Sequence, residues 1–243
     1  METLNKLIKI VVSKDGSHSI YRSDIDEHYH SVNGAIQESL HVFINAGLLD
    51  HINTNKKAQI NILEIGFGTG LNAFLTLLET QKNTFNPIIE YHALEPFPLD
   101  KKWVEQLNYP NSLNDKKAFL KLHNADWEVR TKINEHFHLT KIKSKLEDYR
   151  SNIHFDIIYY DAFGPNSQEE MWELNQFSKL YSLTNNSGRL VTYCAKGQVR
   201  RDLEKVGYLI ERLDGPIGKR EMLRGKKINS CNDKQMLVVD LKE

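Results

Sequence analysis

The 243-residue chain reads as an α/β protein, a mostly parallel sheet with helices on both faces. From residue 59 onward, short runs rich in Ile, Val, Leu and Tyr alternate with helix-patterned stretches, which is the order that parallel strands and crossover helices require. One of these strands runs into a turn with three glycines at alternate positions before a helix opens, at the carboxyl end of a strand where such sheets bind ligands. Composition agrees with this reading. Charged residues at 26% and hydrophobic residues at 40% are those of an ordinary globular chain, which excludes a wholly disordered or collagen-like one. No apolar run approaches the ~18 residues of a membrane span.

The elements follow in chain order. Residues 7–12 and 18–22 flank Ser13-Lys14-Asp15-Gly16-Ser17 and predict a β-hairpin with an Asp-Gly turn. The first dozen residues carry an apolar patch broken by Lys9 and no small-residue cleavage site, so they read as a strand rather than a secretory signal. Residues 34–47, apolar at 36, 40, 43 and 44, predict an amphipathic helix closed by Gly47. Residues 1–58 are thus expected to form a hairpin and helix extension packed on a core of residues 59–243. Seven core strands are expected, at residues 59–65, 88–94, 137–142, 155–160, 189–194, 208–213 and 236–241. Helices are expected over 71–79, 99–107, 169–183 and 197–206, with a polar, helix-containing insertion over 108–136.

The clearest motif is Ile62-Leu63-Glu64-Ile65-Gly66-Phe67-Gly68-Thr69-Gly70-Leu71-Asn72. Glycine admits positive φ and lets a ligand approach the backbone closely. The third glycine comes one residue early for the G-x-G-x-x-G dinucleotide fingerprint, and no Lys-Ser/Thr follows as a P-loop requires. E-x-G-x-G-x-G instead resembles motif I of the class I S-adenosylmethionine (SAM) methyltransferases. That resemblance implies a Rossmann-like fold with a mostly parallel seven-stranded sheet, SAM as cofactor, and a loop facing its methionine and ribose parts. The next strand ends in Glu95-Pro96, with Glu95 lying 25 positions after Gly70, close to the ~20-residue spacing of a ribose-binding carboxylate. Candidate cofactor residues are therefore Glu64, Gly66, Phe67, Gly68, Gly70, Asn72, Glu95 and Pro96.

No metal is expected. All ten histidines precede residue 155, and although His28/His30 and His136/His138 have strand-like metal spacing, no Cys or acid cluster completes a ligand set. Cys194 and Cys231 are too few for a disulfide framework, which favours a reducing cytoplasm.

Phe155–Tyr160 runs into Asp161-Ala162-Phe163-Gly164-Pro165. Asp161 is expected at the strand's carboxyl end, beside the methyl donor. Methyl transfer from a sulfonium is an in-line displacement that depends on holding nucleophile and methyl at near-attack distance. An alkyl amine acceptor must also present a free lone pair, and a neighbouring carboxylate can take its proton or orient it. Asp161 is the catalytic candidate.

The runs DAFGPNSQEEMW, GQVRRDLEKVGY and GKREMLRG, together with Asp26-Glu27-His28-Tyr29-His30-Ser31, Gly34, Glu38-Ser39 and Val42-Phe43-Ile44, carry a more specific resemblance. From about Tyr21 to Leu241 the chain resembles the methyltransferase domain of the bacterial bifunctional enzymes that make 5-methylaminomethyl-2-thiouridine in tRNA. The resemblance implies methyl transfer from SAM to the exocyclic amine of 5-aminomethyl-(2-thio)uridine at wobble position 34, with a tRNA anticodon stem-loop as partner. Tyr29 and Phe163 join the substrate-facing candidates. Many relatives carry a second, flavin-dependent oxidase domain. Because the chain ends at Glu243, shortly after the last expected strand, the likeness is to the form without it, and no FAD is expected. Many relatives also carry an acid near the adenine after the third strand. The segment Lys141-Ile142-Lys143-Ser144-Lys145-Leu146-Glu147-Asp148 has none in the equivalent place, which leaves adenine to backbone groups or Trp127.

Thirty-two basic and thirty-two acidic residues cancel, but the sum conceals an asymmetry. Residues 189–227 hold eleven basic and five acidic side chains, a local +6 against −6 elsewhere. Phosphate contacts need local positive charge rather than a basic whole protein. Gly215-Pro216-Ile217-Gly218-Lys219-Arg220 is a glycine-bracketed basic loop between the last two expected strands. Lys196, Arg200, Lys219 and Arg220 are the candidate tRNA contacts, while Arg201, Lys205 and Arg212 read as solvated surface. A cytoplasmic monomer with no membrane segment completes the expectation. Two alternatives stay open: a SAM-dependent N-methyltransferase of a small-molecule amine, and a non-catalytic SAM- or RNA-binding module partnering an oxidase.

Overall fold

The computed structural model describes residues 7–82 and 87–228. Strands β1 (Ile8–Val12) and β2 (His18–Arg22) form the expected hairpin, with Val12 opposite His18, and β3 (Glu27–His28) adds to β2 to give a small antiparallel sheet. Helix α1 begins at Ala35–Ser39, continues with i→i+5 hydrogen bonding through Leu40–Leu49, and ends in Asp50–Thr54. It outruns the expected stop because Gly47 acts as a contact point and not as a cap. A Cβ there would lie 3.1 Å from Tyr159 Cε1 and 3.2 Å from Val191 Cγ2, so glycine lets the helix lie close against the central sheet.

The central sheet contains β4 (Gln59–Ile65), β5 (Ile88–Leu94), β6 (Thr131–Asn134), β7 (Phe137–Ile142), β8 (Phe155–Tyr160), β9 (Thr184–Thr192), β10 (Leu209–Asp214) and β11 (Glu221–Lys226). Their order is β10-β11-β9-β8-β4-β5-β7-β6. The five inner strands from β9 to β7 are parallel, and the antiparallel pairs lie at the two edges. Helices α2 (Leu71–Lys82), α3 (Lys101–Val104), α4 (Tyr109–Ser112), α5 (Lys116–Asn124), α6 (Leu174–Leu183) and α7 (Gly197–Val206) connect them, with a 3₁₀ turn at Glu169–Trp172.

The strand count differs from the expected one, and one expected strand falls outside the described residues. Among the described residues the central sheet has eight strands, because part of the polar 108–136 segment forms β6, which folds back antiparallel on β7. The strand following β10 is β11, made from the basic GKREMLRG run. The strand expected at 236–241 lies outside the described residues, as does Cys231. Basic residues are tolerated in β11 because Met222 and Leu223 are buried while the charges find acids. Arg224 Nε and Lys226 Nζ both bind Glu211, and Arg224 Nη1 lies 2.9 Å from Asp50 Oδ1.

Two apolar layers hold the sheet. On one face α1, α2 and α5 pack against it through Phe43, Phe74, Phe119, Tyr91 and Tyr159. On the other, α6 and α7 pack through Phe177, Leu180, Leu203, Ile158 and Tyr160. The C-terminal end of α1 is riveted to the sheet by Asp50, which pairs with Arg189 of β9 as well as with Arg224. Arg189 is buried, and removing one partner of a buried pair leaves an uncompensated charge, at a cost of about 3 kcal/mol. Asp50→Ala is therefore expected to lower the melting temperature by roughly 6–12 °C, measured by circular dichroism.

Candidate active site

β4 and β8 are neighbours, yet the chain lays down β5 and β7 on the far side of β4 before returning to form β8. The crevice at their carboxyl ends is the point where strand order reverses, the place where open α/β sheets bind ligands. The sequence places its glycine turn and Asp161 there. The N–H groups of Gly66 and Phe67 donate to the Leu94 carbonyl at 3.0 and 3.2 Å, and the Asp161 N–H donates to the Ile65 carbonyl at 3.1 Å. Gly66 has φ +92°, and a Cβ there would lie 2.9 Å from the Asp161 carbonyl oxygen, so only glycine permits the approach. Glu95, just past β5, accepts from Gly68 N–H and Phe97 N–H, each at 2.9 Å, and is thereby fixed at the crevice.

A cavity of about 580 Å³ opens over this crevice, within the usual size of a small-molecule site. Its floor is Ile65–Thr69 with Glu95 and Pro96, and one end is Ser144–Glu147 with Met171 and Gln176. The other end is Tyr29, Asp161–Phe163 and Tyr193. Six carboxylates line it (Glu27, Glu38, Glu95, Glu147, Asp161 and Glu170) against three cations (Arg22, Lys145 and Lys219). Lys219 is already engaged, with its Nζ 2.6 Å from Glu38 Oε1 and 3.8 Å from the centre of the Tyr193 ring. The chamber is anionic and suits a cationic ligand.

Burial, reinforced by repulsion from Glu38, pushes the Asp161 carboxyl up to about 7, against the opposing pull of the Asn72 amide (Nδ2 to Oδ2, 2.8 Å) and of Lys219. Glu64 is wholly buried, and desolvation together with the nearby Asp161 pushes its carboxyl well above the usual carboxylate range. Burial drives His30 down to about 4, so its neutral ring shares a 2.7 Å hydrogen bond with Thr69 Oγ1 and pins the glycine loop to the N-terminal extension. Tyr29 packs edge-on against Phe163, with ring centres 5.0 Å apart, and the Arg22 guanidinium lies over the same phenyl ring.

A second groove of about 470 Å³ shares Glu27, Tyr193 and Lys219 with the first and is otherwise lined by Gly164–Asn166, Cys194–Lys196, Arg220 and Glu221. Lys196 Nζ binds Asn166 Oδ1 at 2.6 Å on its rim, and Arg220 makes no ion pair among the described residues.

The structure gathers Gly66, Phe67, Gly68, Glu95, Pro96, Tyr29, Asp161 and Phe163 in the cavity wall, and puts Lys196 and Arg220 in the outer groove. Glu64, Gly70 and Asn72 lie behind the wall and not in it. Side chains alternate along β4, so Glu64 points into the core next to Ile65; Gly70 backs onto the His123 ring; and Asn72 reaches the site only through Asp161. Arg200 pairs with Glu204 at 2.6 Å on α7 and lines neither space, and Lys219 turns inward onto Glu38. Trp127 packs on Phe67 and under the Lys141 and Lys143 ammoniums, outside the wall. After β7, Glu147, five residues beyond Ile142, lines the cavity. Glu27, Glu38, Thr69, Gln176 and Tyr193 were not candidates. The first two sit in the quoted N-terminal motif and Thr69 within the glycine loop, whereas Gln176 has no spacing signal at all.

A doubly wound sheet with a glycine turn and a fixed acid at its switch point defines a nucleoside-cofactor enzyme. The sequence profile of the S-adenosyl-L-methionine-dependent methyltransferases matches residues 102–228, and the chain belongs to this family. It is 30% identical over 213 residues to the tRNA 5-methylaminomethyl-2-thiouridine biosynthesis bifunctional protein MnmC of Leptospira borgpetersenii serovar Hardjo-bovis (strain JB197), covering 84% of this chain and 33% of that one. It is 27% identical over 250 residues to the protein of the same name from Actinobacillus pleuropneumoniae serotype 5b (strain L20), covering 93% of this chain and 36% of that one. The chain thus spans about a third of the length of these curated relatives. Among solved structures, MnmC2 from Aquifex aeolicus superposes with a TM-score of 0.74 at 22% identity, covering 96% of this chain and 75% of that one, which is a likeness of fold.

The raised Asp161 carboxyl has a consequence for the ligand-free protein. Between pH of about 4 and 7 the folded state holds a proton on Asp161 that the unfolded chain has released, so stability from this group is full below that window and is lost as pH rises through it. Urea unfolding across this range should show wild type losing stability relative to Asp161→Asn, with the two running parallel outside it.

Proposed function

We propose that this chain transfers a methyl group from SAM to the exocyclic amine of 5-aminomethyl-(2-thio)uridine at the wobble position of tRNA. The observation that carries this reading is the division of charge: an anionic chamber of cofactor size that continues, past Asp161, into a groove edged by Lys196 and Arg220. A sulfonium and an alkylammonium suit the first, and RNA phosphates suit the second. The names of the curated relatives support the same substrate.

The residues present fit SAM. The Gly66–Thr69 loop would lie under its methionine and ribose, and the fixed Glu95 carboxylate would accept the ribose hydroxyls. Gln176 is 5% exposed, faces the cavity, and its carboxamide makes no hydrogen bond among the described residues. It therefore matches the donor and acceptor edge of adenine, beside Leu146 and Met171. Bound there, SAM supplies an electrophilic methyl group on sulfur.

Asp161 does the proton work. The incoming amine is protonated in water and must lose a proton before its lone pair is free. A carboxylate poised near 7 is matched to that task at neutral pH. Asp161 would take the ammonium proton and release it to solvent before transfer; with SAM bound, the freed lone pair would displace the methyl carbon from sulfur, which would leave with the C–S bonding pair, and the proton then surplus on nitrogen would pass to the re-ionised Asp161. The wobble base is unpaired in the free anticodon loop and can be splayed into the chamber without breaking a duplex, while Lys196 and Arg220 hold flanking phosphates. The reading places this chemistry on the anticodon stem-loop of cytoplasmic tRNA and has the chain act as a monomer. Among the described residues no helix is long and apolar enough to cross a membrane.

The direct test is transfer of labelled methyl from SAM to tRNA carrying 5-aminomethyl-uridine, and no transfer overturns the reading. Asp161→Asn should lower kcat by about 10²-fold or more while the dissociation constant for SAM moves less than threefold, measured by single-turnover kinetics and calorimetry. Gln176→Ala should do the reverse, weakening SAM about tenfold with little change in kcat. Lys196→Ala combined with Arg220→Ala should weaken tRNA binding and flatten its log–log salt dependence by roughly 1.5, read from filter binding between 50 and 200 mM salt.

A further inference from the structure

We propose that Glu27 is the second carboxylate of the acceptor site, accepting a hydrogen bond from the same amine that Asp161 deprotonates, and that this pair of carboxylates limits transfer to one methyl per amine. This assignment rests on the alkyl-amine reading above. Glu27 is carried by β3 to the neck where the inner chamber meets the outer groove, and it lines both. Its Oε2 accepts from Ser167 Oγ at 3.0 Å and lies against Gly164, while Oε1 accepts the N–H of His28 at 3.1 Å. The carboxylate is therefore held against the turn that leaves Asp161. No cation pairs with Glu27 among the described residues, whereas Asp24 has Arg22 and Glu38 has Lys219. Of the other acids in the chamber, Glu95 is held by two backbone N–H groups, Glu147 faces Lys145, and Glu170 is exposed. Glu27 and Asp161 are left as the two carboxylates at the acceptor turn that await a cation.

The backbone offers little alternative. On the turn after Asp161, the Ala162 carbonyl already accepts the Tyr193 hydroxyl at 2.9 Å, and the Phe163 carbonyl accepts Trp172 Nε1 at 2.7 Å. The Gly164 carbonyl accepts the N–H groups of Ser167 and Gln168. These carbonyls are already engaged, and the two carboxylates are the stronger acceptors left for the hydrogens of the amine. A neutral primary amine whose lone pair is aimed in line at the methyl carbon has two N–H groups left, and two carboxylates accept them. After one transfer the nitrogen would have gained one N–C bond, the methyl carbon would have lost its bond to sulfur, which keeps the electron pair, and one proton would have passed to Asp161 and on to solvent. The neutral secondary amine keeps a single N–H, so its new methyl group would press on a half-buried carboxylate that has lost its donor, an arrangement that costs desolvation without a hydrogen bond.

The test uses the full chain and tRNA carrying 5-aminomethyl-uridine, with kcat, the SAM dissociation constant and the product mass read together. Glu27→Gln, which preserves shape, should lower kcat at least tenfold with SAM affinity within threefold, and Glu27→Asp should recover part of the loss. Glu27→Ala, checked for a native melting transition, should give dimethylated nucleoside on prolonged incubation where wild type stops at one methyl. Wild-type kcat and single methylation in both the Gln and Ala variants overturn the assignment and leave the amine reading standing. Absence of transfer by the wild type overturns both.

Discussion

One backbone hydrogen bond, from the Asp161 N–H to the Ile65 carbonyl, closes the carboxyl ends of β4 and β8 against each other, and the site is organised around it. It makes the glycine turn and the acceptor turn consecutive walls of one crevice although about ninety residues separate them in the chain. The close approach leaves no room for a side chain at Gly66 and buries the Asp161 carboxylate beside Glu64. It also lets Asn72, at the start of α2, reach across and hold that carboxylate. Geometry at one pair of strand ends thus sets both the place of the cofactor loop and the proton affinity of the acid opposite it.

Charge is divided with the same economy. Many of the eleven basic side chains in residues 189–227 are already paired: Arg189 and Arg224 with Asp50, Lys219 with Glu38, Lys226 with Glu211, and Arg212 with Glu221. What faces the groove is small, chiefly Lys196 and Arg220. The proposed function asks the site to admit two positive centres and a polyanion, which one sign of charge throughout would not serve. Here six carboxylates outnumber three cations in the chamber lining, while Lys196 and Arg220 line the outer groove.

Much of this was legible in the sequence. The bounds of β4, β5, β7, β8 and α7 follow directly from apolar runs or helical spacing, because elements buried on both faces leave an unbroken hydrophobic record. The glycine turn, Glu95 and Asp161 were legible because strand ends in such a sheet converge whatever lies between them. Side-chain direction was not. Glu64 and Ile65 are adjacent in the motif, yet only one faces the cavity, and nothing in the spelling of the glycine loop says which. Lys219 looked like a surface cation because the acid that captures it lies 181 residues upstream. Gln176 and Glu147 carry no pattern, since a single polar residue on a helix or loop acquires meaning only from what surrounds it in space.

The Glu38–Lys219 pair has a further consequence for how the chamber comes into being. Closing so long a loop costs entropy that must be met by contacts made late. As the chain leaves the ribosome, the N-terminal extension, the glycine turn and Asp161 are all synthesised before the β10–β11 hairpin that carries Lys219. Until that hairpin docks, Glu38 has no counter-charge and the outer groove lacks one of its sides. Residues near the beginning and the end of the described chain meet in the chamber wall, so a nascent chain still lacking this hairpin has no finished chamber. The Glu38–Lys219 contact is thus completed only after the rest of the chamber lining has been synthesised.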